Sequence, residues 1–390
     1  MVIAGVCTAG DDDMNQEPLN ENPASREVER KLPRTGTHPG SRAPLAALLF
    51  FVGLSGAVAV SARPADAPKA AERGALVEAV DAIGITVGDI DRSITFYRDV
   101  LGFSLVRDDE ASGSALERLT GVFGAHVRSA RLTLGEQALV LTQYLTPRGR
   151  PIPPDSRSND QGFQHVAIVV SDMERAYRQL RQHRARLVST EPQTLPAWNR
   201  AAAGIKAFYF ADPDDHTLEI IWFPAGKGDP RWQKSASAGA NGPLFLGIDT
   251  TAIGVGDTAL SLRFYRDTLG FRVAGESENY GTEQEHLNAV AGARLRITAL
   301  RSKNGPGIEL LEYLSPRDGR PAPADLRAND LSHWQTVLRA RDLEATLGAA
   351  TAAGASAAPG RAIDSPDAAF GAHQAALVNG PDGHGLMLAR

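Results

Sequence analysis

The heptapeptide YRDVLGF, Tyr97–Phe103, returns as YRDTLGF at Tyr265–Phe271, with six of seven residues identical. Such a repetition constrains the fold more than any composition does, because it means that one unit was built twice. The match runs further. ITVGDIDRSITFYRDVLGF (85–103) lies over IGVGDTALSLRFYRDTLGF (253–271), and YLTPRGRPIPPDSRSND (144–160) lies over YLSPRDGRPAPADLRAND (313–330) with one residue inserted. DPDDHTLEI (212–220) lies over GPDGHGLML (380–388). The folded part is therefore read as two domains, 76–224 and 244–390, joined by a linker at 225–243, AGKGDPRWQKSASAGANGP, whose Gly, Pro and Ser content signals a connection.

Each repeat divides again. HVAIVVSDMERAYRQLRQH (165–183) repeats the pattern of AIGITVGDIDRSITFYRDV (82–100): an apolar strand, an Asp, then an amphipathic helix. In the first helix Ile94, Tyr97 and Leu101 stand at i, i+3 and i+7 with Phe96 and Val100 beside them, which predicts a buried stripe, and Gly102 supplies the stop. VRSARLTL, QALVLTQYL, KAFYFAD and TLEIIWF have strand composition and strand length. The expected architecture is α+β, with four βαβββ modules forming two domains of curled mixed sheets.

Residues 1–75 read differently. Residues 1–42 are polar, and Arg26, Arg30, Lys31, Arg34 and Arg42 make their second half basic. APLAALLFFVGLSGAVAV, 43–60, carries no charge, and Val60 and Ala62 suit the positions before a cleavage site. A secretory leader is expected, with translation starting at Met1 or Met14. The alternatives are a membrane anchor through residues 43–60, since 18 apolar residues can just span, or a soluble tail. Cleavage would leave a chain without its one cysteine, Cys7, which suits an oxidising, periplasmic or extracellular compartment. A net charge of −5 gives no general attraction to nucleic acid, and a single Cys excludes a disulfide framework or a thiolate zinc site. The sequence contains no Gly-rich phosphate loop, no Ser-His-Asp order and no CxxC.

The D-x-x-x-S-x-x-FYRD-x-LGF helix, the HVAIVV-x-D strand and the DPD-x-H-x-LEI hairpin resemble the vicinal oxygen chelate superfamily over about residues 78–224 and 245–390. That group includes glyoxalase I, methylmalonyl-CoA epimerase, extradiol dioxygenases, and fosfomycin and bleomycin resistance proteins. The resemblance implies that two modules pair and that their sheets curl into a cleft holding one divalent metal, Zn, Fe, Mn, Ni or Co. Each module then offers one ligand from its first strand and one from its last. In this chain those positions are Ala82 and Val140, His165 and Glu219, Thr250 and Glu309, and Gln335 and Met387. If modules pair within a repeat, no cleft collects more than two good donors. If the second module pairs with the third, one cleft gathers His165, Glu219 and Glu309 as metal ligands, with Glu219 or Glu309 also available as a general base. The other cleft is then blank. The resemblance thus implies an internal pseudo-dimer within a monomer.

Plainer readings stand beside these. A buried Glu219 needs a metal, an Arg or water. His165 fits an ordinary hydrogen-bonded strand end, Glu309 an exposed edge strand, and His216 and His384 turn packing. Arg148, Arg150 and Arg157 recur as Arg317, Arg320 and Arg327. Arg148, Arg317 and Gln335 are candidates for substrate binding, since guanidinium forks suit carboxylate or phosphate. Alternatively these arginines pair with Asp155, Asp160, Asp325 and Asp330. Trp198, Trp222 and Trp334 fit either a cleft lining or the core. Two functions follow: an exported metal-dependent lyase, isomerase or oxygenase acting on a small oxygen-bearing substrate, or a metal-free small-molecule binding protein. Extradiol oxygenation is disfavoured because no second His occupies a ligand position. Glyoxalase or epimerase chemistry suits the ligands better, although export suits it less. The enzyme reading requires His165, Glu219 and Glu309 to converge.

Overall fold

The same pattern, strand, Asp, helix, then further strands, recurs along the chain, and in each module the Asp starts the helix. Asp89, Asp172, Asp257 and Asp342 have extended backbones, and their carboxylates accept the N–H groups of Arg92, Arg175, Leu260 and Ala345. The computed structural model describes residues 74–236, 242–357, 363–364 and 372–390. The apolar run 43–60 lies outside them; no helix among the described residues is long and apolar enough to cross a membrane.

Module one comprises β1 (Val77–Thr86), α1 (Ile90–Asp99), β2 (Ser104–Ser112), α2 (Ser114–Thr120), β3 (His126–Leu134) and β4 (Gln137–Thr146). Module two has β5 (Gln164–Val170), α3 (Met173–Gln182), the short β6 (Arg186–Leu187) and β7 (Gln193–Thr194), β8 (Lys206–Ala211) and β9 (Thr217–Trp222). The connecting stretch, read from its composition as a linker only, contains a helix, α4 (Pro230–Ala236). Pro230 is pre-set for a first helical position. Trp232 anchors the helix by packing on Val169 and Leu246 and donating its indole N–H to Asp249 at 2.6 Å.

Module three has β10 (Phe245–Gly254), α5 (Thr258–Leu262) running on as a π-helical turn over Arg263–Thr268, β11 (Arg272–Tyr280), α6 (Thr282–Asn288), β12 (Arg294–Arg301) and β13 (Gly307–Ser315). Module four has β14 (Trp334–Ala340), α7 (Leu343–Ala352), β15 (Ser356–Ala357), β16 (Ile363–Asp364), β17 (Gln374–Asn379) and β18 (Gly385–Ala389).

The strand pairing decides between the two arrangements left open by the sequence. The first sheet runs β15-β17-β18-β14-β1-β4-β3-β2, and the second runs β11-β12-β13-β10-β5-β9-β8-β6. Modules one and four thus share one sheet and modules two and three the other. Each sheet is joined across the repeats by one antiparallel seam, β1 on β14 and β5 on β10.

The two modules of one repeat meet through their helices instead. Ile83 and Ile85 of β1, Tyr97 of α1, Ile168 of β5, Leu180 of α3 and Phe208 of β8 belong to one buried cluster. Tyr265, Leu338, Leu347 and Leu388 belong to its counterpart in the second repeat. The repeated phrase is this packing written in residues. Tyr97 sits edge-on to Phe96 and Phe103, and Tyr265 edge-on to Phe264 and Phe271. Gly102 and Gly270 take φ of 75° and 89° to end the two helices, a conformation that disfavours side chains. Trp334 belongs to the first cluster, so of the three tryptophans it is a core residue.

Candidate functional site

Strand alternation sends Ile83 and Ile85 to the helix layer and Ala82 to the opposite face. On the first sheet that opposite face is apolar, with Ala82, Val140, Val337 and Met387 in one buried cluster. Three of the four ligand positions there carry no donor for a hard cation. The fourth, Gln335, is buried, and its side chain fills the space over Gly84, where an added Cβ would come within 2.6 Å of Gln335 Cγ.

The second sheet differs. His165 pairs with Ala252, and Ala252 with Glu309, so the imidazole and one carboxylate lie in one row across three strands. Glu219 pairs with Ala167, and Ala167 with Thr250, in the neighbouring row. All four ligand positions of modules two and three thus share one face, at strand separations of about 5 Å. His165 is 1% exposed and Glu219 6%. His165 Nε2 lies 3.3 Å from Glu219 Oε2, yet neither ring nitrogen makes a hydrogen bond. Burial raises the Glu309 carboxyl to about 8, helped by the charges of Glu219 and Asp249 and opposed by Arg301. Arg301 itself is held by Asp249 at 2.8 Å, and Gly307 lacks a side chain where the Arg301 guanidinium lies.

A divalent cation can be tested against this donor set. Two carboxylates on one sheet face repel, and a buried imidazole with neither nitrogen hydrogen-bonded is costly. A cation relieves both penalties, and one His with two carboxylates suits Zn, Mn, Fe, Ni or Co. In donor chemistry the residues fit. Among the described residues, no three His, Cys, Asp or Glu side chains yet stand close enough to hold an ion. The donors are gathered on one face and not closed round a point.

Further residues line this face that the sequence reading did not single out. Tyr209 pairs directly with Glu219, and its ring lies 4.8 Å from that of His165. Burial, then the charge of Glu219, pushes its phenol well above the usual range. Tyr313 lies four residues beyond Glu309 on the same strand face, and its buried hydroxyl has no partner. A chain of buried amides leads away from Tyr209: Asn288 donates to its hydroxyl at 3.4 Å, Gln284 donates to Asn288, Asn279 to Gln284 and Asn199 to Asn279. The signal was in the repeat. Asn279, Gln284, Asn288 and Tyr209 align with Ala111, Leu116, Thr120 and Leu377, so three of the four polar residues on one face have apolar counterparts on the other, and Thr120 alone stays polar.

Of the remaining candidates, Arg317 borders a cavity with Tyr313 of this face. Arg148 and Gln335 lie with modules one and four; both border cavities that also include His333. Arg317 follows β13 but turns back to donate to the Leu314 carbonyl at 3.3 Å. The paired reading describes three other loop arginines. Arg150 holds Asp330 and Asp325, Arg320 holds Asp160 and Asp155, and Arg157 holds Asp318. His216 and His384 pack in turns, bonded at 2.7 Å to the carbonyls of Leu331 and Gly254. Trp198 is half exposed and lies against Tyr280, with ring centroids 4.3 Å apart.

Residues 79–220 and 247–388 both match the Glyoxalase/Bleomycin resistance protein/Dioxygenase superfamily, and the chain belongs to that superfamily. A 154-residue stretch is 35% identical to 2-epi-5-epi-valiolone epimerase from Actinomyces sp, covering 38% of this chain and 81% of that protein. A 146-residue stretch is 25% identical to the uncharacterised YwbC of Bacillus subtilis strain 168, covering 37% of this chain and 98% of that one. Glyoxalase I from Zea mays shares the fold, with a TM-score of 0.51 and 17% identity over 80% of this chain and 92% of that one. The chain is thus a glyoxalase-, dioxygenase- and epimerase-like protein with an internal pseudo-dimer, of a family that binds small molecules.

Proposed function

We propose that the chain is a metal-dependent, isomerase-type enzyme acting on a small substrate that carries a hydroxyl beside a carbonyl. The observation that supports this reading is that His165, Glu219 and Glu309 share one sheet face built from both repeats. The likeness to an epimerase supports the reaction class. His165, Glu219 and Glu309 are the residues that would hold the cation, with Thr250 at the fourth position. When bound, a divalent cation supplies electrophilic polarisation of adjacent substrate oxygens.

The chain's own groups do the rest. A carboxylate beside the substrate oxygens, Glu219 or Glu309, is suited to moving a proton at the carbon beside a carbonyl. The unpartnered Tyr313 hydroxyl can donate to a substrate oxygen, and the amides behind Tyr209 hold that phenol in place. Burial excludes water from the reacting carbon.

The test is solvent-deuterium exchange into small hydroxyketones, followed by proton NMR. Exchange by the wild type and a loss of about 10²-fold or more in Glu309→Gln supports the proposal. Equal exchange by both proteins contradicts it.

A metal-free binding function is the second reading, favoured by the face of the first sheet, where three of the four ligand positions are apolar. For residues 43–60 we propose export or anchoring. N-terminal sequencing of the protein from its native host, beginning near residue 63, would support cleavage, and a start at Met1 or Met14 would contradict it.

A further inference from the structure

The two inter-module loops differ in length by one residue, and that residue has a visible job. Asp318, in SPRDGRP, has no counterpart in TPRGRP. It accepts from Arg157 Nη1 at 2.8 Å and from Asn159 Nδ2 at 2.8 Å. Arg327 and Asn329 occupy the corresponding positions in the second repeat and face the loop that lacks this Asp. Asn329 turns to the Pro147 carbonyl, at 3.1 Å. Among the described residues the Arg327 guanidinium has no hydrogen bond or ion pair, and neither has that of Arg148.

The two unpaired guanidiniums border the same cavity, of about 660 Å³. The cavity beside Arg317, on the loop that carries Asp318, is about 250 Å³. The larger one has an apolar lining from Leu119, Val122 and Leu377, and Phe123, 89% exposed, stands at its edge. Volumes of a few hundred Å³ with an apolar wall and a few fixed polar groups are those of small-molecule sites. Two guanidinium groups without carboxylates leave positive charge unanswered at the rim, the geometry that takes up a carboxylate or phosphate.

We infer that this cavity is a second ligand site, for a small organic anion with an apolar body. The body lies against Leu119, Val122 and Leu377, and its carboxylate or phosphate pairs with Arg148 and Arg327. The site is built from modules one and four and contains neither His165 nor either candidate glutamate, so it is independent of the proposed metal chemistry.

The test is calorimetric titration of the full chain with 2-naphthoate, beside the neutral 2-naphthalenemethanol and inorganic phosphate. Naphthoate is expected to bind tighter than either by about tenfold or more, since only it offers both the body and the charge. 1-Naphthyl phosphate, run in parallel, distinguishes a phosphate head from a carboxylate one by which binds tighter. The Arg148→Gln, Arg327→Gln double variant should lose about tenfold in affinity. Inserting an Asp between Arg148 and Gly149, which transplants the other loop's Asp318, should do the same. Glu219→Gln with Glu309→Gln should leave the affinity within about twofold, since its side chains lie on the other sheet. The inference is overturned if naphthoate does not bind, if the alcohol binds equally well, if the arginine variant binds as the wild type does, or if the glutamate variant abolishes binding.

Discussion

At the residue scale the two faces of this molecule pose opposite electrostatic problems. On the second sheet the half-buried Glu309 shares a face with the buried Glu219, and burial with the nearby charge raises its carboxyl to about 8. A cation must displace the carboxyl proton, so affinity should weaken as pH falls below about 8. On the first sheet, burial lowers the His333 imidazole to about 4, although Gln335 and Asp330 favour its charge. The unfolded chain binds that proton near pH 6.5 and the folded chain only near 4, so stability is full above 6.5 and declines as pH falls toward 4. Across that window the loss is about 3 kcal/mol at most. Urea unfolding at pH 7 and pH 4.5 should show the His333→Gln variant losing less stability than the wild type. An identical pH dependence in the two proteins would remove His333 from the account.

At the element scale, the first helix of each repeat lies against the hairpin of its neighbouring module, and the two repeats do this differently. Tyr97 of α1 donates to Asp212 at 3.1 Å, and His216 Nδ1 lies 2.9 Å from the same carboxylate. Burial works against charge on both groups. Even so, the Asp212 carboxylate raises His216, while His216 and the N–H groups of His216 and Asp214 lower Asp212. In the second repeat Gly380 replaces the Asp, and burial lowers His384 in spite of its bond to the Gly254 carbonyl. Asp212→Ala leaves Tyr97 and His216 buried without their partner and should cost about 3–5 kcal/mol by denaturant titration. A loss below about 1 kcal/mol would show that the surrounding packing alone holds α1 in place.

The elements themselves were legible because the signals are local: an Asp before each helix, the i, i+3, i+7 stripe of α1, the Gly stop. The site was legible only in part. His165, Glu219 and Glu309 could be placed by counting along strands, but which strands would meet depends on pairing between residues far apart in the chain, such as His165 with Ala252. Tyr313 escaped although it shares a strand face with Glu309, because a Tyr in a strand also reads as core. α4 escaped because Gly and Pro around Trp232 read as a linker.

At the scale of the whole molecule, the exchange of modules means that neither repeat completes a sheet alone. A repeat on its own would bare β1 and β5, or β10 and β14, along their full length, an aggregation hazard that the other repeat removes. A protease site inserted between Ala236 and Gly242 and then cut should therefore leave both halves co-eluting on native size exclusion. Separation of the halves at micromolar concentration would contradict the two shared seams. The same exchange makes one face from His165 and Glu219 of the first repeat with Glu309 of the second, and leaves the other face open to different ligands.

The most direct measurement of that claim is the metal content of the protein purified without chelator, as wild type and as two single variants, Glu219→Gln in the first repeat and Glu309→Gln in the second. About one divalent metal per chain is expected in the wild type and a substoichiometric amount in each variant, because both repeats supply ligands to one ion. No metal in the wild type, or full retention in Glu309→Gln, would contradict a single centre shared between the repeats.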